Sequence, residues 1–350
     1  MIFCASQSRS MSQKLYCLLT FVIFMGSFGT AQFSQVQQDL KISREERNQL
    51  IDKVITVVKE QYVFADKARI MTDELVRLRS HGKFDTLTSS KSFADSLNRF
   101  LVSASHDKHL QILFSFDTVP AGSATDAPLP AFIHEFAIKN NYGIKDVKLL
   151  EGNIGYINIL GFFPYDEATN NWIKAIDAVS ETKALIIDLR NNSGGASELA
   201  NFILSYFFDK KPVHLLDFVF RKDNRIEQSW TAFYLPGKRY LNKPLYILTG
   251  PGTFSAGEAF AYILQSTKLA VIVGQSTGGG ANVGDLIRLN EHFVMNIPIG
   301  SPQSPVTKTN WEGSGVKPDV EANEADALNI AQKLALSKLN EPKTTKEQNN

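Results

Sequence analysis

The chain has 350 residues, room for two ordinary domains, and is 43% hydrophobic against 21% charged. Those fractions exclude a disordered tail, a collagen-like fibre and a low-complexity spacer. Lysine and arginine number 37 against 36 aspartates and glutamates, a balance that excludes a purely electrostatic nucleic-acid binder. With 2 cysteines, neither a disulfide scaffold nor a cysteine-based zinc module is available.

At the start of the chain, Arg9 and Lys14 precede an apolar run from Leu15 to Gly29, with small residues at Gly29 and Ala31. This pattern predicts a secretory signal peptide over residues 1–31, with Met1 or Met11 as the start. A spanning helix needs about 20 apolar residues, and the run falls short; an uncleaved anchor is the alternative. Cleavage removes Arg9 and Lys14 and no acid, so the net charge passes from +1 to −1. Cys4 and Cys17 leave with it, so the exported protein, periplasmic or extracellular, carries no thiol and no integral membrane segment. Its nucleophile, if it has one, is Ser, Thr, Lys or a carboxylate.

Residues 32–104 are expected to form a helical cap domain. Ser43-Arg44-Glu45-Glu46 matches a capping box, and Leu50, Val54, Val57 and Val58 follow at helical spacing. Further helices are expected at Lys67–Ser80 and Ser92–Ser103. From 105 to 336 short apolar runs predict strands at Leu110–Phe114, Ile154–Leu160, Ala184–Leu189, Val213–Phe220, Leu245–Thr249 and Leu269–Val273. Helices are predicted between several of them, at Asn170–Val179, Ser197–Phe207 and Ala256–Ser266. This alternation indicates an α/β core, a mixed or parallel sheet flanked by helices. Residues 115–130 read as a Pro/Ser/Gly-rich connection, and 337–350 as a flexible polar tail.

Four segments bear chemistry. In Pro244–Leu264 a strand ends at Thr249, a Gly-Pro-Gly turn follows, and Ser255 stands at the N-terminus of a helix. There the helix dipole favours developing negative charge and the N–H of Ala256 is a natural oxyanion donor. Ser255 reads equally as a plain N-cap. The spacing is not G-x-S-x-G, so an α/β-hydrolase is not supported. In Leu185–Glu198 a strand runs into Asn191-Asn192-Ser193-Gly194-Gly195, where paired glycines admit close approach of backbone N–H groups to a ligand. The segment lacks G-x-G-x-x-G and a Walker lysine, so no nucleotide cofactor is expected.

In Ser105–Leu110, His109 is a candidate general base at a strand start. His106, Asp107 and His109 lack the accompanying ligand set a zinc site needs, so no metal is expected. In Asn310–Val320, Glu312 follows Trp311 in a Gly-rich turn and is a candidate to orient an imidazole; alone it reads as a surface acid.

Together these blocks resemble the serine peptidases that include tricorn protease, the C-terminal processing peptidases and the interphotoreceptor retinoid-binding protein modules. The matching pieces are DKHL at Asp107–Leu110, GNIGYINI at Gly152–Ile159, LIIDLRNNSGG at Leu185–Gly195 and TGPGTFSAGEAF at Thr249–Phe260. VGQSTGGG at Val273–Gly280 and GVKPD at Gly315–Asp319 complete the set. The resemblance implies a crotonase-like core and an exported serine peptidase. The processing peptidases use a lysine where this chain has Gly280, and usually carry a PDZ domain for which residues 115–151 leave too little room. Both departures resemble the histidine-using branch. That branch implies Ser255 as nucleophile, His109 as base and Glu312 as its assistant, with the N–H groups of Gly194 or Gly195 and Ala256 as oxyanion hole. Where tricorn places a serine before the base, this chain has Lys108. The substrate implied is a peptide or unfolded protein. The retinoid-binding modules imply an alternative, an apolar-ligand binding module lined by aromatics such as Phe162, Phe163, Tyr165, Tyr206, Phe207, Phe218 and Phe220. Core packing is their plainer use.

Overall fold

The structure is a computed structural model that describes residues 39–119 and 131–342. The expected signal peptide at 1–31, residues 120–130 of the connection and residues 343–350 of the tail lie outside the described residues. In chain order the elements begin with α1 (Arg44–Gln61), α2 (Ala65–Ser80), α3 (Ser90–Ser105), β1 (Gln111–Phe114), α4 (Ala131–Lys139), β2 (Ile144–Leu150) and β3 (Ile154–Ile159). Next come α5 (Tyr165–Val179), β4 (Ala184–Asp188), α6 (Ser197–Leu204), β5 (His214–Phe220), β6 (Arg225–Trp230), β7 (Leu245–Thr249) and α7 (Ala256–Ser266). The chain closes with β8 (Val271–Gly274), β9 (Val283–Arg288), β10 (Phe293–Gln303), β11 (Val320–Glu321) and α8 (Ala327–Asn340). They form two compact units, each assembled from separate stretches of chain.

The first unit takes residues up to His134 together with 217–227 and 280–303. Its first helix begins as the sequence indicates, while α2 and α3 start two residues earlier than expected, at Ala65 and Ser90. Ser43 Oγ accepts the Glu46 N–H at 3.2 Å, and the Glu46 carboxylate accepts the Ser43 N–H at 2.8 Å. The stripe Leu50, Val54, Val57, Val58 is buried, and it shares one core with Met71 and Leu75 of α2 and Phe93, Leu97 and Leu101 of α3. Leu110, Ile112, Phe293, Met295 and Ile297 complete that core, so the helices are finished by strands from far along the chain. β10 is the spine of an antiparallel sheet, pairing with β1 through Ile112↔Met295, with β9, and with β5 through Val219↔Ser301.

The second unit holds Glu135–Leu216, Gln228–Gly279 and Ser304 onward. Its six-stranded sheet runs β11-β8-β7-β4-β3-β2, parallel throughout except for β2. Every residue of β3, β4 and β7 is buried, as a parallel sheet covered on both faces requires. Small residues of α8 (Ala327, Ala331 and Ala335) let that helix close on Ile154, Ile186 and Leu248. Elsewhere Phe162 and Phe207 pack on Phe260, with ring centroids 5.8 and 6.3 Å away, which is core packing of those aromatics.

Where sequence and structure differ, local chemistry accounts for it. Three of the seven residues of β2 are charged, which suits a sheet edge and hides the apolar alternation. β10 contains Pro298 and Pro302, residues that argue against a strand. Its register with β9 shifts between Pro298 and Gly300, where a missing N–H is tolerated. The stretch expected to become a polar tail at 337 continues as helix to Asn340.

Replacing Ser43 with alanine removes half of the capping box and should lower stability by about 1 kcal/mol. A urea titration should show a lower midpoint with an unchanged slope.

Candidate active site

β4 and β7 are adjacent parallel strands whose C-terminal ends lie level, Asp188 opposite Leu248, so the loops that follow them meet. The β7 loop is pinned by Thr253, whose hydroxyl donates to Leu189 O at 2.7 Å and accepts the Gly250 N–H at 3.1 Å. The β4 loop is pinned by Asp188. Its carboxylate receives Arg190 Nε at 2.9 Å and Nη2 at 2.6 Å, and the Tyr156 hydroxyl at 2.8 Å. Burial, and then the Asp188 charge, push the Tyr156 hydroxyl up to about 12, so it stays a donor.

Ser255 joins the β7 loop to α7 with φ 52° and ψ −120°. An ordinary N-cap has an extended backbone. Ser255 instead occupies a left-handed conformation that glycine adopts freely, at a cost of about 1–3 kcal/mol for other residues. The strain is held from both sides. The Phe254 N–H donates to Asn192 O at 2.9 Å, and the Ser255 N–H donates to Glu258 Oε2 at 3.0 Å. Glu258 is fully buried, and its Oε1 also accepts the Gly279 N–H at 2.7 Å and the Thr277 hydroxyl.

Gly194 and Gly195 both have positive φ, 98° and 120°. A Cβ on Gly195 would lie 2.1 Å from Phe162 O, and one on Gly194 2.8 Å from the Ser255 Cβ and 3.1 Å from the Ala256 N. Only glycine at 194 lets the loop approach Ser255 so closely, and only glycine at 195 lets it lie against the Phe162 backbone. Their amides are not equivalent, because the Gly194 N–H donates to Asn192 Oδ1 at 2.8 Å.

Glu312, partly exposed, sits in the turn after Asn310, whose Oδ1 accepts its N–H at 2.9 Å. Trp311 is buried against Tyr262, ring centroids 5.0 Å apart. The turn hangs on the segment after β8. Gly313 N–H donates to Gly279 O at 2.9 Å, and Val316 N–H to the Thr277 hydroxyl oxygen at 2.7 Å.

Ser255, Ala256, Gly194, Gly195 and Glu312 all belong to the second unit; His109 belongs to the first. It is buried between α3 and β1, and Asn296 Nδ2 donates to its carbonyl at 2.6 Å. Asp107, also buried, accepts the His109 backbone N–H at 3.0 Å, and its carboxylate lies 3.8 Å from His109 Nδ1. The Asp107 carboxylate also receives the Tyr62 hydroxyl at 3.1 Å and Asn282 Nδ2 at 2.9 Å. Burial holds the His109 imidazole below its ordinary pKa, and the Asp107 charge partly opposes this. His106 is exposed and caps α3 in a left-handed conformation.

Sequence reasoning passed over Glu258, Asn192 and the partner role of Asp107. Ser255-x-x-Glu258 is a capping-box spacing, which was the available signal for Glu258. Nothing local distinguishes Asn192 from its neighbour Asn191.

The pattern of peptidase family S41 matches residues 153–322, and that of the N-terminal domain of peptidase S41 in eukaryotic IRBP matches residues 35–144. The chain belongs to peptidase family S41. It is 26% identical over 215 residues to a carboxy-terminal-processing protease of Bartonella bacilliformis, covering 57% of this chain and 47% of that one. The matches thus span under half the length of these relatives. A lipoprotein from Streptococcus agalactiae has a TM-score of 0.58 at 18% identity, over 83% of this chain and 96% of that one. The photosystem II D1 C-terminal processing protease has a TM-score of 0.51 at 15% identity, over 84% and 98%. These two likenesses are of fold.

Ser255→Gly should be more stable than Ser255→Ala by about 1 kcal/mol, because glycine adopts the left-handed backbone without strain. Equal denaturation midpoints for the two variants would show that Ser255 is unstrained.

Proposed function

We propose that the chain is an exported serine peptidase that hydrolyses peptide bonds in peptides or unfolded proteins by acyl transfer. The observation that carries the reading is the strained serine at the start of α7, with the Gly194-Gly195 loop packed against it. A serine kept in a glycine-like conformation is more than a cap, and strain of this kind clusters at functional sites. Export rests on the apolar segment Leu15–Gly29, and places the protein in the periplasm or outside the cell.

In this mechanism His109 takes the proton of Ser255 Oγ as that oxygen attacks the peptide carbonyl carbon. Negative charge gathers on the former carbonyl oxygen, where the Ala256 N–H meets it at the positive end of the helix dipole. Because the Gly194 N–H already serves Asn192, the second donor is Gly195. The carbon–nitrogen bond then breaks and His109 returns its proton to the leaving amine. Water, deprotonated by His109, attacks the acyl carbon; the bond from that carbon to Ser255 Oγ breaks, His109 returns the proton to Oγ, and the acid product leaves. Glu312 stabilises the imidazolium while it carries the proton.

A fluorophosphonate probe should label the wild-type protein but neither Ser255→Ala nor His109→Ala, with peptide hydrolysis falling by about 10⁴-fold or more. A folded wild type that takes no label would overturn the peptidase reading. The base must be neutral to accept a proton, and burial lowers the His109 pKa. The acidic limb of kcat/KM should therefore lie below the ordinary imidazole value of about 6.5. Asp107→Asn removes the charge that raises the His109 pKa, so the limb should move further down. An upward shift would show that Asp107 acts otherwise.

A further inference from the structure

We infer that Glu258 is a positioning residue whose buried carboxylate ties the backbone of Ser255 to the turn that carries Glu312. The inference rests on the roles proposed above for Ser255 and Glu312, and concerns what holds them.

Glu258 is fully buried in the first turn of α7. An ionised carboxylate in such a place is tolerable only if hydrogen-bond donors saturate it. The donors come from three places, and the two oxygens divide them. Oε2 takes the Ser255 N–H, and Oε1 takes the Gly279 N–H and the Thr277 hydroxyl.

The direction of the chain of bonds is fixed by its far end. The Thr277 oxygen accepts the Val316 N–H, so its own hydrogen is available to be donated to Glu258. Beyond Oε1 the path divides and reaches the turn residues that follow Glu312. One arm runs through Gly279, whose carbonyl accepts the Gly313 N–H at 2.9 Å. The other runs through Thr277, whose backbone N–H donates to Val316 O at 3.2 Å while its hydroxyl oxygen holds the Val316 N–H. Glu312 immediately precedes the span these arms fasten, Gly313 to Val316. Gly279 has φ 80°, and a Cβ there would meet the Gly313 carbonyl carbon at 3.0 Å, so the close contact depends on glycine.

A carboxylate is the group that fits. When ionised it only accepts, and the Ser255 N–H, the Gly279 N–H and the Thr277 hydroxyl all donate to it. Glutamine in its place brings an amide that must face a donor, either at Ser255 or at the Thr277–Gly279 pair. Aspartate is one methylene shorter and cannot keep both ends.

Three variants test this. Glu258→Gln should lower kcat by about 10²-fold with KM nearly unchanged, the loss expected for a reacting group displaced by about an ångström. Thr277→Val keeps the volume and loses the hydroxyl, and should also lower kcat; Thr277→Ser loses a methyl, keeps the hydroxyl, and should retain it. A purely packing role predicts the opposite order for Thr277. If Glu258→Gln fails to fold, the Thr277 pair alone decides.

Amide spectra of the ¹⁵N-labelled protein read the same coupling without activity. Thr277→Val should move the amides of both Ser255 and Glu312. A wild type that takes no fluorophosphonate label yet shows this paired shift would remove the peptidase reading and leave the coupling standing. A Thr277→Val protein with kcat within about twofold of wild type, or with Ser255 and Glu312 amides unmoved, would overturn the inference.

Discussion

A carboxylate taken out of water loses its hydration, and the protein must bring donors to it or leave it neutral. At Glu258 the donors come from the start of α7, from the segment after β8 and from the Thr277 hydroxyl that the turn before β11 supports. None of these pieces is fixed by its own local preference. Ser255 is in a conformation its residue type disfavours, whereas Gly279 and Gly313 take left-handed backbones that glycine permits. Such local strain persists only where the surroundings over-determine it. The saturated carboxylate supplies that over-determination.

The sheet decides where this can happen. In parallel sheets all strands point one way, so loops that follow neighbouring strands gather at one edge, where crevices for ligands form. β4 delivers the Asn192–Gly195 loop there and β7 delivers Ser255. The Asp188–Arg190 pair and Thr253 then lock each loop to its strand end. Burial on both faces holds these strands firmly, so the loops that follow them stand on well-packed strand ends.

Much of this was legible in the amino acids. Leu245–Thr249 and Ala256–Ser266 lie where their apolar patterns put them, because a fully buried strand and an amphipathic helix each advertise themselves over a few residues. The Ser43 capping box was readable for the same reason: its two bonds join residues three apart. What could not be read depends on partners distant in sequence. β10 hides behind its prolines, and only pairing with β1, β5 and β9 makes it a strand. Glu258 sits 19 and 21 positions from Thr277 and Gly279, so no local pattern marks it as a junction. The difference between the Gly194 and Gly195 amides likewise depends on a side chain, Asn192, folding back on its own loop.

The interleaving of the two units governs the order in which the protein can come into being. Helices α1–α3 are made before β10 and hold a continuous apolar stripe, yet Phe293, Met295 and Ile297 belong to the core they form. A growing chain therefore carries those helices with part of their apolar face uncovered until β10 has emerged, well after most of the second sheet. Such surface is prone to non-native association in the interval. The helices cannot be excised as a contiguous fragment with their core intact, and a truncation ahead of residue 293 takes Phe293, Met295 and Ile297 from that core even though it removes none of α1–α3.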